Sequence, residues 1–294
     1  MIFICVAAVT VLVNITVTMT IIMTKSLRTK TYYRGIACMT VLDFFTGSIT
    51  IPLFCRVCDM MIDKEEPTDI CTELRVAFIV AHILSGLSVN GMTFLCLERY
   101  FSICHAVKYQ NIFNKRKSVM MATLLILPTV VSTILFALDM YDASNVIVTL
   151  EIMFLVVFGP AMYYKIFKTV IQSAAQAQRS TQSQQQKDMS KKLFVIVVVI
   201  IICYTPYGIV SNINEDPPGV LYHATLYTSL AFIALNSFLN PILFLWQDTF
   251  LRKGTVIFLK SNLSKFACCK CECLASSRIS PLSLHSQSHN PSNV

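Results

Sequence analysis

The sequence predicts an all-α fold: a bundle of seven membrane-crossing helices followed by a short helix on the cytoplasmic surface. Three observations carry this. The 294-residue chain is 55% hydrophobic and only 14% charged, with a mean hydropathy of +0.63, outside the usual range of soluble domains. Its apolar residues gather into seven runs, each near the roughly 20 residues that a ~30 Å hydrocarbon core requires of a helix. The joints between those runs alternate in charge.

The runs are Ile2–Met23, Tyr33–Phe54, Val76–Leu97, Val119–Leu138, Val146–Ile171, Leu193–Val210 and Leu221–Trp246. All exceed the apolar core of a signal peptide. The first, third and fifth joints are basic, with Lys25, Arg28, Lys30 and Arg34, then Lys108, Lys115, Arg116 and Lys117, then Arg179, Lys187, Lys191 and Lys192. By the positive-inside rule they are cytoplasmic. The alternate joints carry Asp59, Asp63, Glu65, Glu66, Asp69 and Glu73, then Asp139 and Asp142, then Glu215 and Asp216, and face outward. With seven spans the amino terminus is external and the basic tail cytoplasmic. The net charge of +8 then reports topology, and nucleic acid is not an expected partner. The expected organisation is a bundle over residues 1–246, an amphipathic cytoplasmic helix over 247–263, and a Cys-containing disordered tail over 264–294.

The cysteines divide by compartment, because disulfides persist outside and are rare in the cytosol. Cys55, Cys58 and Cys71 are external, and a bridge from Cys71 to Cys55 or Cys58 is expected, with one thiol left over. A zinc site on Cys55-x-x-Cys58 is the alternative, but no histidine lies near. Cys268 and Cys269, with Cys271 and Cys273, follow a basic stretch beside the last span, a placement that suggests acylation to a lipoprotein; a metal knuckle is the rival. No other metal site is expected.

Polar groups in a hydrocarbon core cost about 2.5–3.5 kcal/mol each when charged. Asn14, Asp43, Ser88, Asn236 and Asn240 nevertheless lie mid-span at comparable depth. Asn236 and Asn240, four apart, share a helix face. The set can hold a small hard cation such as Na⁺, or serve as hydrogen-bonded glue between helices. Pro128, Pro160, Pro206 and Pro241 interrupt apolar runs, where each removes a backbone hydrogen bond and favours a kink.

The run from Leu97-Glu98-Arg99-Tyr100 to Lys108-Tyr109 resembles the end of the third helix and the second cytoplasmic loop of rhodopsin-like G-protein-coupled receptors. Asn236 to Phe244 is similar to that family's Asn-Pro-x-x-Tyr ending, with Asn240-Pro241 present and Phe244 replacing the tyrosine. Cys203-Tyr204-Thr205-Pro206 is similar to its Cys-Trp-x-Pro bend, with Tyr204 replacing the tryptophan. Asn14, Asp43 and Ser88 stand where the family has its span-one asparagine and the sodium-site pattern, Tyr163 matches its tyrosine low in span five, and Phe250-Leu251-Arg252 resembles the start of its surface helix. The resemblance covers Asn14 to about Lys260. It departs at the second external loop, where Asp139–Asn145 lacks the cysteine that the family bridges to span three, and in span four, which lacks the usual tryptophan. A short, cysteine-free loop is a weak melanocortin-like or cannabinoid-like feature; the branch stays open.

The resemblance implies a receptor that passes a signal from an extracellular ligand to a heterotrimeric G protein. Ala81 and Ala234 stand at the family's amine and retinal positions, which disfavours both ligand classes. Candidate pocket residues are His82, Glu151, Tyr204, Tyr207 and Tyr227. Glu151 pairs a cationic ligand group or lies nearer the interface; His82 is a ligand contact or a core residue. The implied switch is Glu98, Arg99 and Tyr100 with Tyr163, Asn240, Pro241 and Phe244. Gln186 stands where the acidic lock in span six is expected, which predicts raised basal activity. A polytopic secondary transporter is the alternative; an enzyme is not expected, since no catalytic set appears in the spans. The chain begins inside span one, as a fragment or a clipped receptor would.

Overall fold

A hydrocarbon solvent inverts the usual packing rule, so apolar side chains face outward and the few polar ones are driven inward. The structure, a computed structural model, describes residues 2–63, 66–176, 195, 198, 199, 201–210 and 220–276. Among them there is helix and no strand. The elements are α1 (Ile2–Met23), α2 (Lys25–Arg28), α3 (Thr31–Phe45), a π-turn (Thr46–Thr50), α4 (Ile51–Asp63), α5 (Pro67–Cys104), α6 (Ala106–Ile112), α7 (Lys115–Ala137), α8 (Tyr141–Gln176), α9 (Ile201–Val210), α10 (Val220–Gln247) and α11 (Thr249–Ser276). Five segments are long and apolar enough to cross a membrane: Phe3–Met23, Thr31–Asp63, Pro67–Cys104, Arg116–Ala137 and Tyr141–Gln172. In the sixth run the shorter apolar helix Ile201–Val210 is described, and in the seventh α10 contains the apolar stretch Ala231–Gln247.

Leu12, Leu124, Leu150 and Ile209 are all exposed, whereas Asn14, Asp43, Asn236 and Asn240 have no exposed surface. These polar residues sit within a buried apolar core that includes Val17, Ile36, Met39, Met92 and Phe244. α5 packs against α3, α7 and α8, and α1 packs against α3 and α10, which brings the mid-span polar residues of α1, α3 and α10 together.

Three local features differ from the sequence reading. The second span is not one regular helix: the π-turn follows Asp43 closely, and Pro52 lies just beyond it. Proline lacks an N–H and its ring clashes with the carbonyl four residues back, which the wider turn relieves; such turns recur at functional sites. Helix also extends far into the expected joint 55–75, because α4 reaches Asp63 and α5 starts at Pro67, a residue suited to a first helical turn. Cys55 and Cys58 therefore lie one turn apart on α4 and Cys71 lies on α5, and all three are free thiols. The expected bridge is not formed in this structure. Finally, α11 continues past Leu263 to Ser276, beyond the boundary expected for the surface helix.

Residues 1–254 form one compact unit and 255–294 another. α11 begins within the first, where Asp248 caps it: Oδ1 accepts from the backbone N–H groups of Phe250 (2.8 Å) and Leu251 (3.0 Å). Gln186 and the side chains of Tyr227, Cys268 and Cys269 lie outside the described residues.

Candidate functional site

Two constellations stack along the bundle axis. The first is the mid-span cluster. Asn14 Nδ2 donates to the Thr10 carbonyl at 2.9 Å and across to the Ser237 carbonyl at 3.1 Å, tying α1 to α10. Asn240 Nδ2 donates to Asp43 Oδ2 at 3.0 Å, tying α10 to α3. Ser88 on α5 is buried alongside. Tyr204 on α9 is close to Ser88 and Asn236, without a formed hydrogen bond to Ser88 Oγ or the Asn236 amide. Asp43 Oδ1, Ser88 Oγ, Asn236 Oδ1 and Asn240 Oδ1 are buried with no hydrogen-bond partner in the protein. Four buried oxygens without a partner, one of them from a carboxylate, are of the ligand type that a hard monovalent cation takes.

The second constellation surrounds Arg99 at the basic end. Arg99 Nε lies 3.5 Å from Glu98 Oε2. Its guanidinium also stacks on Tyr32 of α3, 3.2 Å from the ring centre, a cation–π contact in a mostly buried setting. The Tyr109 hydroxyl, from α6, donates to Glu98 Oε1. Burial, and then this bond to the carboxylate, push the Tyr109 phenol up from its ordinary pKa, so it stays a donor throughout the physiological range. Tyr33 donates to Asp248 Oδ2 at 2.8 Å, and the other oxygen of that carboxylate caps α11. Glu98, Arg99, Tyr32, Lys30, Gln247 and Asp248 line an open cavity of about 670 Å³. Behind it, Arg99, Tyr163, Phe244 and Tyr32 enclose a chamber of about 30 Å³. Tyr100 turns away from the cavity wall, its hydroxyl 3.3 Å from His105 Nε2.

Of the expected switch residues, Glu98, Arg99, Tyr163 and Phe244 are thus brought together, and Asn240 and Pro241 lie about one turn deeper than Phe244 on α10. Tyr32 and Tyr109 were missed as partners. The available signal for Tyr32 was an aromatic pair, Tyr32-Tyr33, at the basic boundary of a span.

Toward the acidic end, His82, Glu151, Tyr204 and Tyr207 line one chamber, but its volume is only about 20 Å³, room for about one water. Glu151 is engaged rather than open: Oε1 accepts from Asn90 Nδ2 (3.0 Å) and Thr129 Oγ1 (2.9 Å). His82 Nε2 is 3.1 Å from Ser132 Oγ, and the ring stacks on Phe136. Asn90, Thr129 and Ser132 were not singled out from sequence, although each is a buried polar group within an apolar run.

The loop that lacks a cysteine is held electrostatically. Arg75 of α5 donates to the Ala137 carbonyl (2.7 Å) and to Asp139 Oδ2 (3.0 Å), while the Tyr141 hydroxyl donates to Asp139 Oδ1 at 2.6 Å. Asp139 adopts φ 62°, a conformation Asp tolerates better than most residues. The Tyr141 hydroxyl and then the Arg75 charge hold the Asp139 carboxyl below the usual carboxylate range. Its contribution is therefore full above that range and is lost as pH falls through the depressed value. Amide exchange, corrected for intrinsic pH effects, is expected to quicken at residues 138–141 on acidification. Asp139→Asn should show that quickening already at neutral pH; unchanged protection would contradict the clamp.

A sequence model described as 7 transmembrane receptor (rhodopsin family) matches residues 13–244. No curated protein matches the chain.

Proposed function

Since this chain belongs to the rhodopsin family of seven-transmembrane receptors, a family of non-enzymatic signalling receptors, we propose that it carries an extracellular ligand signal to a heterotrimeric G protein through Arg99. The observation that carries this is the double restraint on Arg99, by Glu98 and by the Tyr32 ring, at the wall of a 670 Å³ cavity. A ligand acts by preferring the arrangement in which that restraint is released. Family membership also sets aside the transporter reading.

The chain is a multi-pass membrane protein; the orientation proposed is amino terminus outside and the Arg99 end cytoplasmic, in the plasma membrane, on the strength of the charge alternation. Cys268 and Cys269 are proposed acylation sites. The ligand enters from the acidic end, where His82, Glu151, Tyr204 and Tyr207 converge. Separating α8 from α5 and α7 would release Glu151 from Asn90 and Thr129, so a ligand with a cationic group competes with those donors. Na⁺ fits the mid-span cluster, where Asp43, Ser88, Asn236 and Asn240 would hold it; when bound it supplies a positive charge that offsets the buried carboxylate. Asn240 and Asp43 themselves join α10 to α3, so that separating those helices breaks this bond.

A ligand screen read through several second messengers tests this function. Compounds that signal in wild type should fail in Arg99→Gln at equal surface expression; an undiminished response would refute the role of Arg99. Phe244 offers a finer test. It is buried beside Arg99 and Tyr163 but has no hydrogen-bonding group. Phe244→Tyr adds a donor worth about 1 kcal/mol when Tyr163 approaches, so maximal signalling should rise, up to about fivefold. No change would defeat this reading.

A further inference from the structure

We propose that the Gln247 amide is a second seat for the Arg99 guanidinium: its oxygen accepts from Arg99 once the guanidinium leaves the Tyr32 ring, and so favours the released arrangement. Among the described residues, Tyr32, Arg99 and Gln247 line both the open cavity of about 670 Å³ and the chamber of about 30 Å³ behind it. They form the partition between the two. Gln247, the last residue of α10, is only 2% exposed, yet neither its Oε1 nor its Nε2 has a hydrogen-bond partner in the protein. Burial in that state forfeits the amide's hydration and returns nothing, so an arrangement that supplies a donor gains what this one lacks. The next residue is firmly held. Asp248 accepts from Tyr33, caps α11, and donates its backbone N–H to the Phe244 carbonyl at 2.9 Å, which fixes the main chain at the foot of the Gln247 side chain.

Arg99 is the donor at hand. A guanidinium carries several N–H groups and no acceptor. Here its Nε makes no hydrogen bond, lying 3.5 Å from Glu98 Oε2, and its face rests on Tyr32. Phe244, the other α10 residue in the chamber, has no polar atom on its side chain, so Gln247 Oε1 is the side-chain acceptor that α10 presents there. A bond from guanidinium to amide oxygen is charge-assisted and stronger than a neutral pair. Leaving the ring therefore exchanges an aromatic face for an amide oxygen, and two buried groups without hydrogen bonds satisfy each other. Gln247 is in this sense a positioning residue for Arg99, and its effect on signalling rests on the role proposed for Arg99 above.

Nucleotide exchange and thermal unfolding of the full chain test this together. Gln247→Leu keeps the bulk and removes the amide; exchange should fall about tenfold, the loss expected of a charge-assisted bond made only in the released arrangement. Gln247→Glu keeps the acceptor and should exchange at the wild-type rate or faster, which a space-filling role would not produce. Unfolding needs no G protein. With Arg99 on Tyr32, Gln247→Leu removes a buried orphan and should raise the midpoint by about 2–4 °C. In the Tyr32→Ala chain, where the guanidinium is free to take the amide, the same substitution should lower it. Shifts of equal sign in the two backgrounds, undiminished exchange in Gln247→Leu, or exchange as slow in Gln247→Glu as in Gln247→Leu would each overturn the proposal. If no heterotrimer responds to wild type or to Tyr32→Ala while the unfolding shifts keep their opposite signs, the G-protein role of Arg99 fails and the second seat stands.

Discussion

Tyr32→Ala is expected to raise ligand-independent nucleotide exchange by about 30-fold, the equivalent of losing a desolvated cation–π contact of about 2 kcal/mol. The reasoning runs through Arg99. Its guanidinium is held from one side by Glu98 at 3.5 Å and from the other by the Tyr32 ring at 3.2 Å. The Glu98 carboxylate is itself committed to Tyr109, so the ring is the restraint whose removal leaves the ion pair in place. Tyr32→Phe keeps the aromatic face and should stay near wild type. Tyr32→Leu, which keeps bulk without a π-face, should resemble Tyr32→Ala. Basal exchange measured per mole of folded receptor separates this from altered expression. If Tyr32→Phe and Tyr32→Leu behave alike, the ring acts only by filling space.

Asp43→Ala should cost about 1–3 kcal/mol of stability, because Asn240 loses its partner in a fully buried site that already contains orphaned oxygens. Asp43→Asn separates bonding from charge. It can still accept from Asn240, so much of the packing should survive, but it cannot offset a cation. Thermal inactivation of the wild type should move upward with NaCl relative to KCl, following the stabilisation expected of a ligand that binds only the folded state. In Asp43→Asn that sodium-specific shift should vanish. A wild type insensitive to the choice of cation would remove Na⁺ from the account and leave the cluster as interhelical glue.

These two sites were unequally legible in the sequence. The mid-span cluster was readable because hydrocarbon makes every polar residue conspicuous: Asn14, Asp43, Ser88, Asn236 and Asn240 could be selected and matched in depth by counting turns. Glu98-Arg99-Tyr100 was readable as a local triplet. Tyr32 was not, because it lies 67 positions before Arg99 and aromatic residues at a span boundary usually anchor at the interface. Glu151 was singled out as a candidate pocket residue, but its partners Asn90 and Thr129 sit on two other helices, and only the packing of α5, α7 and α8 reveals that its carboxylate is engaged. The external joint at 55–75 read as a loop because it is polar. Polar sequence is equally compatible with helix that has left the membrane, and α4 and α5 use nearly all of it.

Arg99-dependent activation of a G protein is the central claim, and reconstituted nucleotide exchange tests it most directly. The full chain in liposomes, presented with a panel of purified heterotrimers, should catalyse exchange on at least one of them above protein-free liposomes. Arg99→Gln should abolish that exchange, and Tyr32→Ala should increase it. Exchange no faster than in protein-free liposomes for every heterotrimer, with Tyr32→Ala equally silent, would contradict the account.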